Sequence, residues 1–99
     1  MNESRSQPLA DRKYEKVILT VISQKGHCGF GHQVGDQVVF DGRTVQGEIC
    51  LHALYSLLPK VFAMRYGATF PWLKDQDVAT HACPDAYNPV VFEIRRIKE

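Results

Sequence analysis

The chain has 99 residues, of which 44% are hydrophobic and 23% are charged, and its formal net charge at pH 7 is +1. That length fits one small domain, and so balanced a charge produces no strong field that would attract nucleic acid or an anionic membrane. The longest apolar run is far too short to cross a bilayer, so we expect no membrane-spanning segment and no membrane partner.

The chain opens on the polar segment MNESRSQPLADRKYE, which lacks the apolar stretch that a secretory signal needs. We expect a mobile leader over residues 1–15 and a single domain over residues 16–99. Because no export signal is visible, we expect a cytoplasmic protein. In that compartment the three cysteines are expected as thiols or metal ligands and not as disulfides.

Two strand patterns follow the polar leader. KVILTVISQ, residues 16–24, is rich in β-branched residues, and the apolar side chains on both of its faces predict a central strand. After a Gly-rich stretch, GDQVVF at residues 35–40 predicts a shorter strand that ends at the turn signal DGR.

The rest of the chain predicts one helix and two more strands. From Glu48 to Tyr66, apolar residues recur at helical spacing, and we expect a kink or a second helix at Pro59 and a stop at Gly67. VATHAC (78–83) and PVVFEIRRI (89–97) predict the last two strands. The order ββαββ indicates an α+β fold, in which a mainly antiparallel four-stranded sheet is covered by one Pro-kinked helix.

The Gly-rich stretch GHCGFGHQVGD, residues 26–36, has two functional interpretations, a phosphate cradle and a metal site. Its glycines form G-x-G-x-x-x-G, one residue longer than the dinucleotide-binding fingerprint, and they lead into a strand instead of opening a helix. No Lys-Ser or Lys-Thr follows, so the stretch is not a P-loop either. A metal site fits better, because Cys28 and His32 are spaced C-x-x-x-H within a turn whose glycines let both side chains converge.

A structural zinc ion needs four ligands, so two more donors must come from elsewhere in the chain. Cys50 opens the predicted helix, where the helix dipole favours a thiolate, whereas His52 lies two residues on and is expected to point to nearly the opposite side. Cys83 ends a predicted strand, where a site can open. The predicted metal site therefore comprises Cys28, His32, Cys50 and Cys83. Zinc suits this donor set, as do iron and copper, and Asp36 or Asp85 would orient the His32 ring.

Two other interpretations of the cysteines stay open. Free cysteine often packs as a small hydrophobe, so Cys50 and Cys83 would then be core residues. Alternatively, Cys50 at the helix start would be a redox-active or nucleophilic thiolate, with His32 as its base if the Gly-rich loop folds over the helix. Whether the chain is an enzyme is therefore left open by the sequence.

The aromatic stretch RYGATFPW, residues 65–72, indicates a third kind of site. Tyr66, Phe70 and Trp72 would line a pocket for a small molecule or a surface for a protein partner. The alternative is that Phe70 and Trp72 cover an open end of the core. The basic end RRIKE has no interleaved aromatic platform, so we expect no nucleic-acid binding. No pattern in the sequence indicates an oligomeric state.

The motifs taken in order (GHCGFGHQVGD, GEIC, a helix ending in RYG, FPW and ACPD…NPVVFEIRRI) resemble a family of small, uncharacterised, single-domain prokaryotic proteins. The resemblance runs from about Lys16 to the C-terminus. Its landmark residues fall here on Cys28, Gly31, His32, Gly35, Asp36, Cys50, Cys83, Pro84 and Asp85. The resemblance implies the same four metal ligands, leaves out His27, His52 and His81, and implies no activity.

Overall fold

A computed structural model describes residues 14–98 as one helix beside one sheet. The elements in chain order are β1 (Lys16–Gln24), β2 (Gln37–Phe40), β3 (Val45–Gln46), α1 (Leu51–Arg65), β4 (Val78–Ala82) and β5 (Val90–Ile97). The strands lie in the order β3-β2-β1-β5-β4, and every neighbouring pair is antiparallel. The α+β class and the central place of β1 are confirmed.

The sheet has five strands, whereas the sequence predicted four. The additional strand, β3, forms because the DGR turn reverses the chain. The Asp41 carboxylate accepts hydrogen bonds from the backbone N–H groups of Arg43 and Thr44, at 2.9 Å each, and Gly42 adopts a φ of 95°. Val45 then pairs with Phe40 across the hairpin. So short a strand leaves no hydrophobic period in the sequence.

One face of the sheet packs against α1 and forms the core. On β1 the side chains of Val17, Leu19 and Val21 are all buried, while the alternate residues are only partly covered. On β5, Phe92 and Ile94 are buried on the same face. The helix contributes Ala53, Leu57, Val61 and Met64, which recur at intervals of four, four and three residues and so form one apolar stripe.

The helix runs through Pro59 as a single element, so the alternative of a second helix starting there is wrong. Pro59 lies on the exposed side, where water can bond the Tyr55 carbonyl that loses its helical partner. Gly67 ends the helix as predicted, with a φ of 88° and its N–H bonded to the Met64 carbonyl. No helix between residues 14 and 98 is long and apolar enough to cross a membrane.

The C-terminal end of α1 is held by a buried cation. Arg96, 4% exposed, donates hydrogen bonds from Nη1 to the carbonyl oxygens of Met64 and Ala68, both at 2.8 Å, and from Nε to Asp77 at 3.0 Å. The Tyr14 ring lies 4.4 Å from the Arg96 guanidinium carbon, and the Tyr14 N–H donates to the Arg65 carbonyl. Residues 1–13 of the predicted leader lie outside the described residues.

Candidate functional site

Three chain segments meet at the end of the molecule opposite Arg96. They are the Gly-rich loop (residues 25–36) after β1, the start of α1, and the β4–β5 loop (residues 83–89). The antiparallel register brings the two loops together, because Gln24 at the end of β1 pairs with Val90 at the start of β5. These segments enclose a cavity of about 190 Å³, which we call the cysteine cavity. Its polar lining residues are Cys28, His32, Cys50, His52, Cys83, Asp85 and Asn88.

All four predicted metal ligands therefore line one cavity, although they come from three distant segments of the sequence. None of the three cysteines forms a disulfide, and each is partly buried. The Cys28 sulfur accepts a hydrogen bond from the His32 N–H at 3.4 Å, and the Cys83 sulfur accepts one from the Val90 N–H at 3.3 Å.

His32 is the most buried polar side chain of the cavity, with 3% of its surface exposed. Its Nε2 accepts a hydrogen bond from the Cys50 N–H at 3.1 Å, and this contact links the Gly-rich loop to the start of α1. The Phe92 ring meets the imidazole edge-on with 5.5 Å between ring centroids. Because Nε2 accepts, the proton of the neutral ring must sit on Nδ1.

The Nδ1 atom of His32 is buried and has no hydrogen-bond partner among residues 14–98. The nearest carboxylate oxygen, Oδ2 of Asp36, lies 3.6 Å away, which is too long for a good hydrogen bond. That oxygen accepts instead from the Gln33 N–H at 3.0 Å. Of the two aspartates predicted to orient His32, Asp36 is therefore the one placed beside the ring.

Asp85 shapes the β4–β5 loop. Its Oδ1 accepts from the N–H groups of Tyr87 and Asn88, at 3.0 and 3.1 Å, and its Oδ2 accepts from the Asn88 side chain at 3.2 Å. The hydrogen bond from the Asn88 side chain, followed by those from the two backbone N–H groups, holds the pKa of Asp85 below its usual value. Asn88 in turn accepts from the His27 N–H at 2.8 Å, which joins this loop to the Gly-rich loop.

Two of the histidines that the sequence analysis set aside have clear positions. His52 lines the cysteine cavity, contrary to the prediction that it points away from Cys50. That prediction assumes that both residues are helical, since residues two apart on a helix diverge by about 200°. That angle does not apply, because Cys50 precedes the helix with an extended backbone (φ −58°, ψ 133°). His81 instead faces the middle of α1, with Nε2 3.1 Å from the Ser56 hydroxyl.

The aromatic residues predicted as a pocket form a surface outside the cysteine cavity. Phe70 packs against the core, and its ring centroid lies 5.2 Å from that of Trp72. Tyr66 and Trp72 are 50% and 70% exposed. A further apolar groove of about 210 Å³ runs between α1 and the β2–β3 hairpin, past Leu58 and Phe62, and the sequence analysis did not anticipate it.

No ready-made metal centre is visible: within residues 14–98, no group of three or more His, Cys, Asp or Glu side chains is arranged to hold a metal ion. The predicted coordination by Cys28, His32, Cys50 and Cys83 stays a prediction. No protein-family model, no curated protein and no solved structure matches the chain. A functional proposal therefore depends on the geometry of the cysteine cavity.

Proposed function

We propose that this chain is a cytosolic metal-binding domain whose thiols hold a thiophilic ion, zinc in the first place. The observation that carries the proposal is the convergence of Cys28, Cys50 and Cys83 on one cavity. Thiolates are the preferred ligands of structural zinc, and they suit iron and copper as well. The same three cysteines also pack against the hydrophobic core, so each has a packing role as well as a place in the cavity lining.

Binding requires the cysteine side chains to turn toward a common point. A change of staggered rotamer moves a cysteine sulfur by about 3 Å, and the proposal requires such changes to bring the three sulfurs to one point. The ion would replace the weak N–H contacts to the sulfurs of Cys28 and Cys83. It would join the Gly-rich loop, the start of α1 and the β4–β5 loop, and its role would be structural.

Zinc titration of the full chain tests this proposal. The protein is purified without a metal-affinity tag, reduced, stripped with a chelator and titrated with zinc, and thiol reactivity is followed in parallel. We expect one zinc ion per chain, protection of all three thiols and a marked rise in melting temperature, because metal binding to small domains contributes on the order of 10 kcal/mol of folding free energy.

The matched control is the variant in which Cys28, Cys50 and Cys83 are all serine, which preserves size while removing the sulfurs. It should bind no zinc and show no rise in melting temperature with zinc. Equal zinc binding by this variant, or three thiols that react freely in the presence of zinc, would overturn the proposal.

A second candidate, thiol redox chemistry, is favoured by the position of Cys50. This residue precedes the first turn of α1 without capping it through its side chain, so the positive end of the helix dipole is available to a thiolate. His32 is poorly placed as its base, because the Nε2 lone pair receives the backbone N–H of Cys50. A reversible disulfide between two of the three cysteines, formed in zinc-free protein, would support this candidate.

A further inference from the structure

We infer that His52, and not His32, supplies the nitrogen donor that completes the metal site of the cysteine cavity. This inference rests on the proposed function, since it concerns the fourth ligand of the ion held by Cys28, Cys50 and Cys83. Structural zinc sites are tetrahedral, so three sulfurs leave one position to fill. The cavity offers two imidazoles and one carboxylate for that position.

His32 is already committed to a structural contact. Its Nε2 lone pair accepts the Cys50 N–H, and a nitrogen that accepts a hydrogen bond cannot coordinate an ion with the same electron pair. Coordination would leave the Cys50 N–H without its acceptor beside a ring that is 97% buried. The other nitrogen, Nδ1, is directed at Asp36, which is not among the residues that line the cavity.

Asp85 is also occupied. Both of its carboxylate oxygens accept hydrogen bonds within the β4–β5 loop, three in all, from Tyr87 and Asn88. Three of the roughly four acceptor sites of the carboxylate are therefore taken. Asp85 also positions Asn88, which anchors the Gly-rich loop through the His27 N–H, so turning the carboxylate toward an ion would weaken the contact between the two loops.

The His52 ring is not engaged in a hydrogen bond of this kind among residues 14–98. His52 lies in the first turn of α1, and its side chain is exposed. His52 lines the same cavity as the three cysteines. Because its side chain is exposed, it can change rotamer at little structural cost, and the assignment requires such a rotation to bring a ring nitrogen to the sulfurs.

The test compares three glutamine variants of the full chain: His52→Gln, His32→Gln and, as the matched control, His27→Gln in the exposed part of the Gly-rich loop. Zinc affinity is measured by competition with a chromophoric chelator, and cobalt is used as a spectroscopic probe of the ligand set. We expect His52→Gln to weaken zinc binding about 100-fold or more, since even groups outside the coordination shell contribute about 10- to 100-fold.

The visible spectrum of the cobalt protein should also change in His52→Gln, because the nitrogen ligand is lost. His32→Gln should weaken binding by less than about 10-fold and keep the wild-type cobalt spectrum, because the glutamine oxygen can accept the Cys50 N–H. His27→Gln should match the wild type. Because His52 is exposed, its variant is expected to fold, so the test does not depend on the stability of the His32 variant.

The outcomes separate the two proposals. If the wild-type chain binds no zinc, the proposed function fails. If the wild type binds zinc and His52→Gln retains its affinity and cobalt spectrum, the assignment of His52 fails while the proposed function stands. Loss of the nitrogen signature in His32→Gln alone would return the fourth position to His32.

Discussion

The two ends of α1 are stabilised in opposite ways. At the C-terminal end, Arg96 donates hydrogen bonds to the carbonyl of Met64 in the helix, to that of Ala68 just beyond it and to the Asp77 carboxylate, and the Tyr14 ring covers its guanidinium. At the N-terminal end, the Cys50 side chain caps nothing, and the Nδ1 atom of His32 is buried without a partner among residues 14–98. The C-terminal end also has a buried nitrogen without a hydrogen-bond partner among residues 14–98, Nε of Arg65, so what distinguishes this end is the buried, hydrogen-bonded Arg96.

The difference fits separate roles for the two ends. At the Arg96 end, a charged side chain with three hydrogen bonds fixes the helix against the sheet. At the cysteine cavity, three thiols and the exposed side chain of His52 line one space, and these are the donors that the proposed metal site uses.

The largest expected effect is at the Arg96 end. Arg96→Met removes three hydrogen bonds from a buried charged group, those to Met64, Ala68 and Asp77, while the Met64 carbonyl keeps the Gly67 N–H, so we expect the free energy of unfolding to fall by about 3 kcal/mol. Urea unfolding of the two proteins measures the change. Arg95→Met is the control: the Arg95 side chain is exposed and forms a surface ion pair with Glu93, so its loss should cost less than about 0.5 kcal/mol. Equal effects of the two substitutions would contradict the comparison.

A smaller loss of stability is expected from a substitution at the place where the Gly-rich loop meets the β4–β5 loop. Gly26 has a φ of 67°, and a Cβ there would overlap the Asn88 side chain that holds the His27 N–H. Gly26→Ala should therefore destabilise the fold by about 2 kcal/mol. Gly29, three residues on, has open space around it and no left-handed backbone, so Gly29→Ala should change stability by less than about 0.5 kcal/mol. Thermal unfolding of both variants checks the pair.

The smallest expected effect is a pH dependence of stability, caused by His81, which faces the middle of α1. Burial, and then the charge of Lys60, lowers the pKa of His81 below its ordinary value of 6.5. As the pH falls through about 6.5, the unfolded chain takes up this proton before the folded chain does. The contribution of His81 to stability is therefore intact above that pH and is lost as the pH falls toward the folded-state pKa.

Unfolding free energies measured between about pH 5 and pH 7.5 test this linkage. His81→Gln should flatten the decline at low pH, and Lys60→Met should flatten it in part. His27→Gln serves as the control and should leave the slope unchanged. A steeper decline in His81→Gln would show that the sign of the linkage is wrong.

The sequence predicted most of the fold because the long elements have clear periods. The alternation in β1 and β5 and the helical spacing up to Gly67 depend only on local residues. Contacts between distant segments left no such pattern. The burial of Arg96 depends on where α1 ends relative to β5, and its neighbour Arg95 is exposed on the same strand.

The sequence indicated which cysteines lie together but not how the residues around them interact. The C-x-x-x-H spacing, the helix start and the end of a strand indicated Cys28, Cys50 and Cys83 respectively, and these three line one cavity. The hydrogen bond from Cys50 to His32 joins residues 18 apart through a loop, and no spacing rule predicts it. His52 was set aside because a helical angle was applied to Cys50, a residue that lies just outside the helix.

X-ray absorption spectroscopy of the zinc-loaded chain tests the central claim most directly, because it counts the sulfur atoms bound to the metal. We predict three Zn–S bonds of about 2.3 Å and one Zn–N bond of about 2.0 Å per ion. A zinc environment of nitrogen and oxygen alone would contradict the claim that the three thiols of the cysteine cavity bind one ion.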